Sequence, residues 1–256
     1  MSNESLKKAV NIYKDCLEKC HLVCKDTVYQ IDYYDSTLTI NYPVSINKFN
    51  EAVNNCLFEC SEYLVFKLSS NNGFNNEFYA VNKEDHSTRI IHSAMQSQKL
   101  KQLNNEIDWI LSHPYLYTNV NEAILFEKRI MYKPSILSMN KVGDSIYLFD
   151  HSNDCIDVYS SNLDYIRSMN IYYHLNKNWN KKIIIDPVQN LAYTTITENN
   201  FEILYLINLG DGNINKRIRI PYIFPYKVKV NNGFLYVLFK ESSNQPIVKK
   251  IYRCKL

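Results

Sequence analysis

In the carboxy-terminal half of the chain, apolar and polar residues alternate over short runs, and turn-forming residues separate the runs. This is the pattern of half-buried β-strands. Three stretches align with one another: Val142-Gly-Asp-Ser-Ile-Tyr-Leu-Phe-Asp150, Val188-Gln-Asn-Leu-Ala-Tyr-Thr-Thr-Ile196 and Asn231-Asn-Gly-Phe-Leu-Tyr-Val-Leu-Phe239. Each has a turn signal, an apolar residue, a tyrosine and a β-rich tail. The tyrosines Tyr147, Tyr193 and Tyr236 lie 46 and 43 residues apart. A short apolar strand precedes each (136–139, 182–185, 227–230) and another follows (155–159, 202–207, 247–254). The first two units add a fourth strand, 165–171 and 214–220. Four short antiparallel strands per repeat is the anatomy of a propeller blade.

The amino-terminal half repeats the pattern less cleanly. Glu62-Tyr-Leu-Val-Phe-Lys-Leu68, Phe78-Tyr-Ala-Val81 and Thr88 to His92 make a further candidate blade. Residues 95–135 are expected to hold an intervening, irregular blade: a polar stretch from Met95 to Asn105, an apolar Ile107-Asp-Trp-Ile-Leu111, and a strand at Glu122-Ala-Ile-Leu-Phe126. The expected fold is therefore mainly β, a propeller of five to six four-stranded blades with six preferred, occupying residues 27–256. The last candidate blade has three strands, so a strand from the 27–44 region is expected to complete it, because an unpaired edge is a liability.

Residues 4–24 read differently. Leu6, Val10, Tyr13, Leu17, Cys20 and Cys24 recur every three or four positions, which predicts an amino-terminal helix within residues 1–26. A second short helix is expected over 47–60, aligning Phe49, Val53, Cys56 and Cys60. Packing on the propeller flank and binding a partner helix are both open for these segments.

The carboxy-terminal half resembles bacterial six-bladed β-propeller proteins with NHL- or TolB-like blades. The likeness rests on Gly143-Asp-Ser-Ile-Tyr-Leu-Phe-Asp150, Ile185-Asp-Pro-Val-Gln-Asn-Leu-Ala-Tyr193, Val230-Asn-Asn-Gly-Phe-Leu-Tyr236 and Lys250-Ile-Tyr-Arg-Cys-Lys-Leu256. It implies an envelope or periplasmic location and a binding role. The amino terminus shows no secretory signal pattern, which points to the cytoplasm for the chain as written.

Composition narrows the classes further. Of 256 residues, 46% are hydrophobic and 21% charged, which suits a folded globular protein and not a disordered one. The longest apolar runs are too short for a membrane-spanning helix. A net charge of +3 does not argue for nucleic acid, and Lys227, Lys229, Arg217, Arg219, Lys249 and Arg253 alternate with apolar neighbours as on the solvated face of a strand. An electrostatic patch for an acidic partner is the other reading of those positions. Seven cysteines is an odd number, so at least one is unpaired within a monomer, and a reducing compartment is expected.

Cys16, Cys20, His21 and Cys24 have metal-ligating side chains but not zinc spacing. An apolar core stripe is the reading preferred over metal or redox work with Cys56 and Cys60. His86, His92, His113, His151 and His174 show no paired-ligand spacing, and Asp144, Asp150, Asp154 and Asp186 fall at turns, where Asp bonds its own backbone. No catalytic residue, metal or cofactor is assigned. The expected function is a non-enzymatic, monomeric propeller holding a protein or small ligand, peptide or carbohydrate, on one face. The alternative is a propeller hydrolase or lactonase with a channel-bound divalent metal. The expected binding residues are Trp109, His113, Tyr115 and Tyr117, whose aromatic rings can stack on a sugar or a peptide side chain.

Overall fold

A computed structural model of the chain describes residues 9–35, 37–53, 55–70, 73–132, 134–223, 225–241 and 248–256. Leu6 of the expected helix and the start of the expected strand 247–254 lie outside them. The chain divides into two compact units, Met1–Ser135 and Ile136–Leu256.

The first unit opens with β1 (Ala9–Lys14), β2 (Cys20–Cys24), β3 (Thr27–Tyr34) and β4 (Thr37–Ser45), paired in that order as one antiparallel sheet. The amino-terminal helix is thus corrected to a β-hairpin. The cause is Asp15, whose Oδ1 accepts from the Leu17 and Lys19 amides at 2.9 and 2.8 Å, while Glu18 sits at φ 66°. That turn reverses the chain and sets Tyr13 opposite His21. The three- and four-residue spacing comes from the reversal, not from a helical face. Residues 27–44, expected to complete the last sheet, form β3 and β4 of this first sheet.

Helix α1 (Ile46–Ala52) is capped by Ser45, whose side chain accepts from the Lys48 amide. It buries Phe49 against the rings of Tyr13 and His21. The second expected helix therefore ends early, and Cys56 and Cys60 belong to β5 (Cys56–Cys60). A disulfide joins Cys16, in the β1–β2 turn, to Cys56. Cys20, Cys24, Cys60, Cys155 and Cys254 lie outside it. The cysteine stripe proposed from spacing is a pair of sheets joined covalently.

Strands β5, β6 (Tyr63–Ser70), β7 (Asn75–Asn82) and β8 (Thr88–Met95) form the second sheet where a blade was expected. The blade expected over 95–135 is not there. That stretch holds α2 (Ser97–Ser112), a short 3-10 turn at Pro114–Leu116, α3 (Val120–Phe126) and a π-turn at Glu127–Met131. No glycine or proline interrupts α2, which buries Leu103 and Ile110, seven residues and two turns apart. Its polar positions are the exposed face of an amphipathic helix. Asn119 caps α3 by accepting from the Glu122 amide, so Glu122–Phe126 starts as a helix and not a strand.

The second unit follows the sequence pattern closely. Its sheets are β9 (Leu137–Val142), β10 (Ser145–Asp150), β11 (Cys155–Tyr159) and β12 (Tyr165–Asn170); then β13 (Trp179–Asp186), β14 (Leu191–Glu198), β15 (Phe201–Ile207) and β16 (Ile214–Ile223); then β17 (Lys227–Asn231), β18 (Phe234–Glu241) and β19 (Val248–Lys255). Each sheet is an antiparallel meander, and successive sheets bury facing sides. Phe149, Ile156 and Val158 of one pack with Ala192, Ile196 and Ile207 of the next. The opposite face of that middle sheet, with Tyr193 and Leu204, packs on Val228, Val230, Leu235 and Val237. The fold is mainly β, with five antiparallel meander sheets among the described residues, four of four strands and one of three.

Polar groups fix the register between these sheets. The Arg167 guanidinium donates to the Leu209 and Gly210 carbonyls at 2.9 and 2.8 Å. Gly212, at φ +80°, lies so near Asn170 that a Cβ would come within 2.3 Å of its carbonyl oxygen. Asp186 is fully buried and accepts from the amides of Val188 and Gln189 in its own turn and of Asn232 and Gly233 in the next sheet's turn.

Candidate functional site

The four aromatic and imidazole residues chosen from the sequence converge in the first unit. Trp109 and His113 are four positions apart in and just after α2, hence on one helical face. Their rings stack with centroids 4.8 Å apart and planes 24° from parallel. Pro114 then occupies the first position of the 3-10 turn, and Tyr117 is extended. This exit returns the Tyr117 ring edge-on to Trp109 at 6.2 Å and places Tyr115 6.0 Å from His113.

Hydrogen bonds set the imidazole. His113 Nδ1 lies 3.0 Å from the Trp109 carbonyl oxygen, so Nδ1 carries the proton and donates. Ser112 Oγ sits 3.0 Å from the same nitrogen and donates to the same carbonyl at 2.9 Å. Buried Ile110 anchors the helix beneath, while Trp109 remains 45% exposed and Tyr115 77%. Leu111 and Leu116, both exposed, add apolar surface on the same helix end and turn. Chemically the cluster is an apolar, π-rich platform held by its own backbone.

The histidines and carboxylates passed over as catalytic groups are absorbed elsewhere. His151 is buried between Ile136, whose carbonyl oxygen lies 3.1 Å from Nδ1, and the Tyr173 hydroxyl, 3.0 Å from Nε2. Burial pulls its pKa down to about 4, against the opposing effect of the Ile136 carbonyl. Burial likewise raises the Tyr173 phenol. His174 Nε2 donates to Asp154, and Asp150 holds Ser152 and Asn153. Among the described residues no group of three His, Cys, Asp or Glu side chains could hold a metal ion.

Two small hollows and one polar cluster were missed by sequence reasoning. A cavity of ≈ 150 Å³ is lined by Glu198, Phe201, Arg217 and Arg219, with Arg219 over the Phe201 ring at 3.5 Å and Arg217 donating to Glu198 at 2.6 Å. Another, of ≈ 100 Å³, lies among Leu68, Asn75, Glu77 and Met95. Buried Glu202 accepts from Asn180 at 2.9 Å, beside Thr195 and Lys182. Period-two alternation puts these residues on one face of a strand, but cross-strand register, which decides their neighbours, is not a local signal.

No helix is long and apolar enough to cross a membrane among the described residues. No family model and no curated protein matches the chain. Its fold is similar to that of solved structures at low identity. TolB from Acinetobacter baumannii aligns at TM-score 0.43 and 9% identity over 90% of this chain. A nidogen/laminin complex aligns at 0.42 and 10% over 83%, and the β-propeller domain of the trilobed protease from Pyrococcus furiosus at 0.39 and 8% over 93%. The chain spans 46%, 66% and 63% of those chains respectively.

Proposed function

We propose that this protein is a non-enzymatic binding protein of the NHL- or TolB-like propeller kind, and that Trp109, His113, Tyr115 and Tyr117 hold its ligand. One observation carries the reading. Three aromatic rings and an imidazole cluster on the surface, two of them broadly exposed, with their backbone geometry already fixed by hydrogen bonds. Exposed aromatic groups that lose little freedom on binding are the usual anchors of recognition surfaces.

The neighbours of the cluster favour a peptide over a carbohydrate. A sugar stacks on one open ring face and needs polar groups around the rim. Here His113 covers one face of Trp109, and Leu111 and Leu116 supply apolar surroundings. An apolar or aromatic peptide side chain matches that surface better.

The test selects a random twelve-residue peptide library against the intact protein, then titrates the recovered peptides and, in parallel, chitohexaose. Binding is expected for peptides bearing aromatic or large aliphatic residues. It should fall roughly tenfold or more with Trp109→Ala or Tyr115→Ala, as for central hot-spot residues, with far-UV circular dichroism unchanged. Peptides that bind the Trp109→Ala/Tyr115→Ala double variant as tightly as the parent would overturn the assignment. Stronger binding of chitohexaose would move the ligand class to carbohydrate.

A further inference from the structure

The last sheet of the second unit differs from the four others in having three strands. Among the described residues, nothing pairs with the outer edge of β19, which therefore presents a row of unpaired backbone groups. Its inner face is already a core: Val228, Val230, Leu235 and Val237 pack with Tyr193 and Leu204, and Tyr252 and Cys254 of β19 pack against the same cluster. β19 is thus held along its β18 side and has no strand partner along the other among the described residues.

The opposite face of the sheet has a distinct chemistry. Cross-strand register sets out three rows: Lys227, Leu238 and Ile251; Lys229, Tyr236 and Arg253; Asn231, Phe234 and Lys255. Lys227, Lys229, Arg253 and Lys255 are exposed, and Ile251 is 74% exposed. No carboxylate stands in these rows, and none of the four cations makes an ion pair among the described residues. Tyr236 is the repeat counterpart of Tyr147 and Tyr193, which pack on the sheets that follow theirs. On this last sheet the equivalent face carries cations instead.

We propose that β19 accepts an extended acidic segment of a partner protein as a fourth, edge-added strand. Backbone hydrogen bonds along the edge supply the pairing and alternate side chains the selectivity, as in other strand-addition complexes. Partner residues on the cationic face are carboxylates, two of them beside Arg253 and Lys255. Those on the other face are apolar and extend the core next to Tyr252. Alternate residues of a strand are about 6.8 Å apart, the same interval as Arg253 and Lys255, so an acidic-apolar alternation sets carboxylates in register with both cations.

Two other occupants fit less well. The outer strands β4, β8, β12 and β16 carry no carboxylate, so a second copy offers no acidic strand from them. A single-stranded nucleic acid would match the charge but uses open aromatic faces for its bases. Arg253 already lies over the Phe234 ring at 3.8 Å and faces Tyr236 at 5.8 Å. Nor can a nucleic acid satisfy the strand edge.

The experiment uses the full chain and fluorescein-labelled probes: an alternating Glu-Val octapeptide, the same peptide with two central valines replaced by proline, an alternating Lys-Val octapeptide, and a twelve-nucleotide oligouridine. Anisotropy is read at 50 and 300 mM salt, and amide exchange of β19 is followed with and without the first peptide. The Glu-Val peptide is expected to bind, more weakly at high salt, and to protect β19 amides. The proline and Lys-Val peptides should not bind. The Arg253→Glu/Lys255→Glu variant should weaken binding roughly tenfold, two cross-strand charge pairs having become repulsive. If that variant does not fold, Lys229→Gln and the exchange measurement on the parent decide the matter. Equal binding of the proline peptide, binding without β19 protection, or tighter binding of oligouridine overturns the proposal. So does a concentration-dependent dimer that protects β19 with no peptide present. The two proposals share no residue, so Trp109→Ala should leave this binding unchanged and each can fail alone.

Discussion

Asp186 offers the sharpest test of how the sheets of the second unit are joined. Its carboxylate has no exposed surface and four backbone amides donate to it: Val188 at 3.1 Å and Gln189 at 3.2 Å from its own turn, Asn232 at 2.8 Å and Gly233 at 2.7 Å from the next sheet. The first two bonds shape a local turn, and its exposed amides can turn to water when the acceptor is lost. The last two cross between sheets and are the shortest. A hydrogen bond to a charged group contributes about 1.5–3 kcal/mol net, so losing the two crossing bonds in Asp186→Ala should cost about 3 kcal/mol. Asp186→Asn keeps one acceptor oxygen but sets an amide group against the Gly233 N–H, and about 2 kcal/mol of loss is expected. Urea titration followed by circular dichroism reads both, with the slope unchanged if only stability moves. Burial on its own raises this carboxyl's pKa, yet the four amides outweigh it and the pKa lies below the ordinary 3.8. A depressed folded pKa means that the ionised group's contribution is complete above the unfolded value and disappears as pH falls through the folded one. The gap between parent and Asp186→Asn should therefore be full at neutral pH and close below about pH 3.8. An Asp186→Ala protein within 0.5 kcal/mol of the parent at pH 7 would refute the crossing bonds as a source of stability.

Two further outcomes follow from the same structure. His151 is buried and neutral with a pKa of about 4 against an ordinary 6.5, so its effect on stability is absent above pH 6.5 and destabilises the fold progressively as pH falls from 6.5 to about 4. The full effect is on the order of 3 kcal/mol; urea midpoints for parent and His151→Asn between pH 4 and 7 should show the parent falling faster, and parallel curves would contradict it. The Cys16–Cys56 disulfide closes a loop with a sequence separation of 40 residues, for which chain-entropy arguments give about 4 kcal/mol of stabilisation. Cys16→Ser/Cys56→Ser should lower the urea midpoint of the first unit, and mass spectrometry of the alkylated parent should find the pair oxidised; five alkylated cysteines is the matching count, and seven would contradict the bond.

Sequence reading succeeded where the signal was local and failed where it was not. The strand Cys155–Tyr159 has the same limits in sequence and structure, and Tyr147, Tyr193 and Tyr236 all lie in the second strand of a sheet. Alternation along one strand and a turn residue at each end are enough to place such elements. The hairpin of β1 and β2 was hidden because Asp15 bends the chain where the apolar spacing continues unbroken. Helix α2 was hidden because a single apolar stripe carries it and most of its length is polar. That second error bears on the site. Trp109 and His113 were chosen for their chemistry as part of an irregular stretch, and the helix makes them neighbours. At β19 the sequence left two readings open: basic residues on alternate positions suit a solvated strand face and an acidic partner equally.

The most buried carboxylates of the second unit act as joints between turns and sheets. Asp186, His151 and Asp150 are the carboxylates and imidazole with least exposure, and each is directed at backbone or at a neighbouring ring. Those bonds make them good joints between turns and sheets. A catalytic acid or base needs a group that can face a substrate with its proton-accepting side open, and a carboxylate that accepts from four amides has no such side left. The surface chemistry gathers in two places: an aromatic platform on α2 in one unit and a cationic sheet face in the other. Both are the surfaces proposed above for binding. One is suited to an apolar side chain and the other to an acidic strand, so the two units offer complementary preferences to peptide ligands of opposite character.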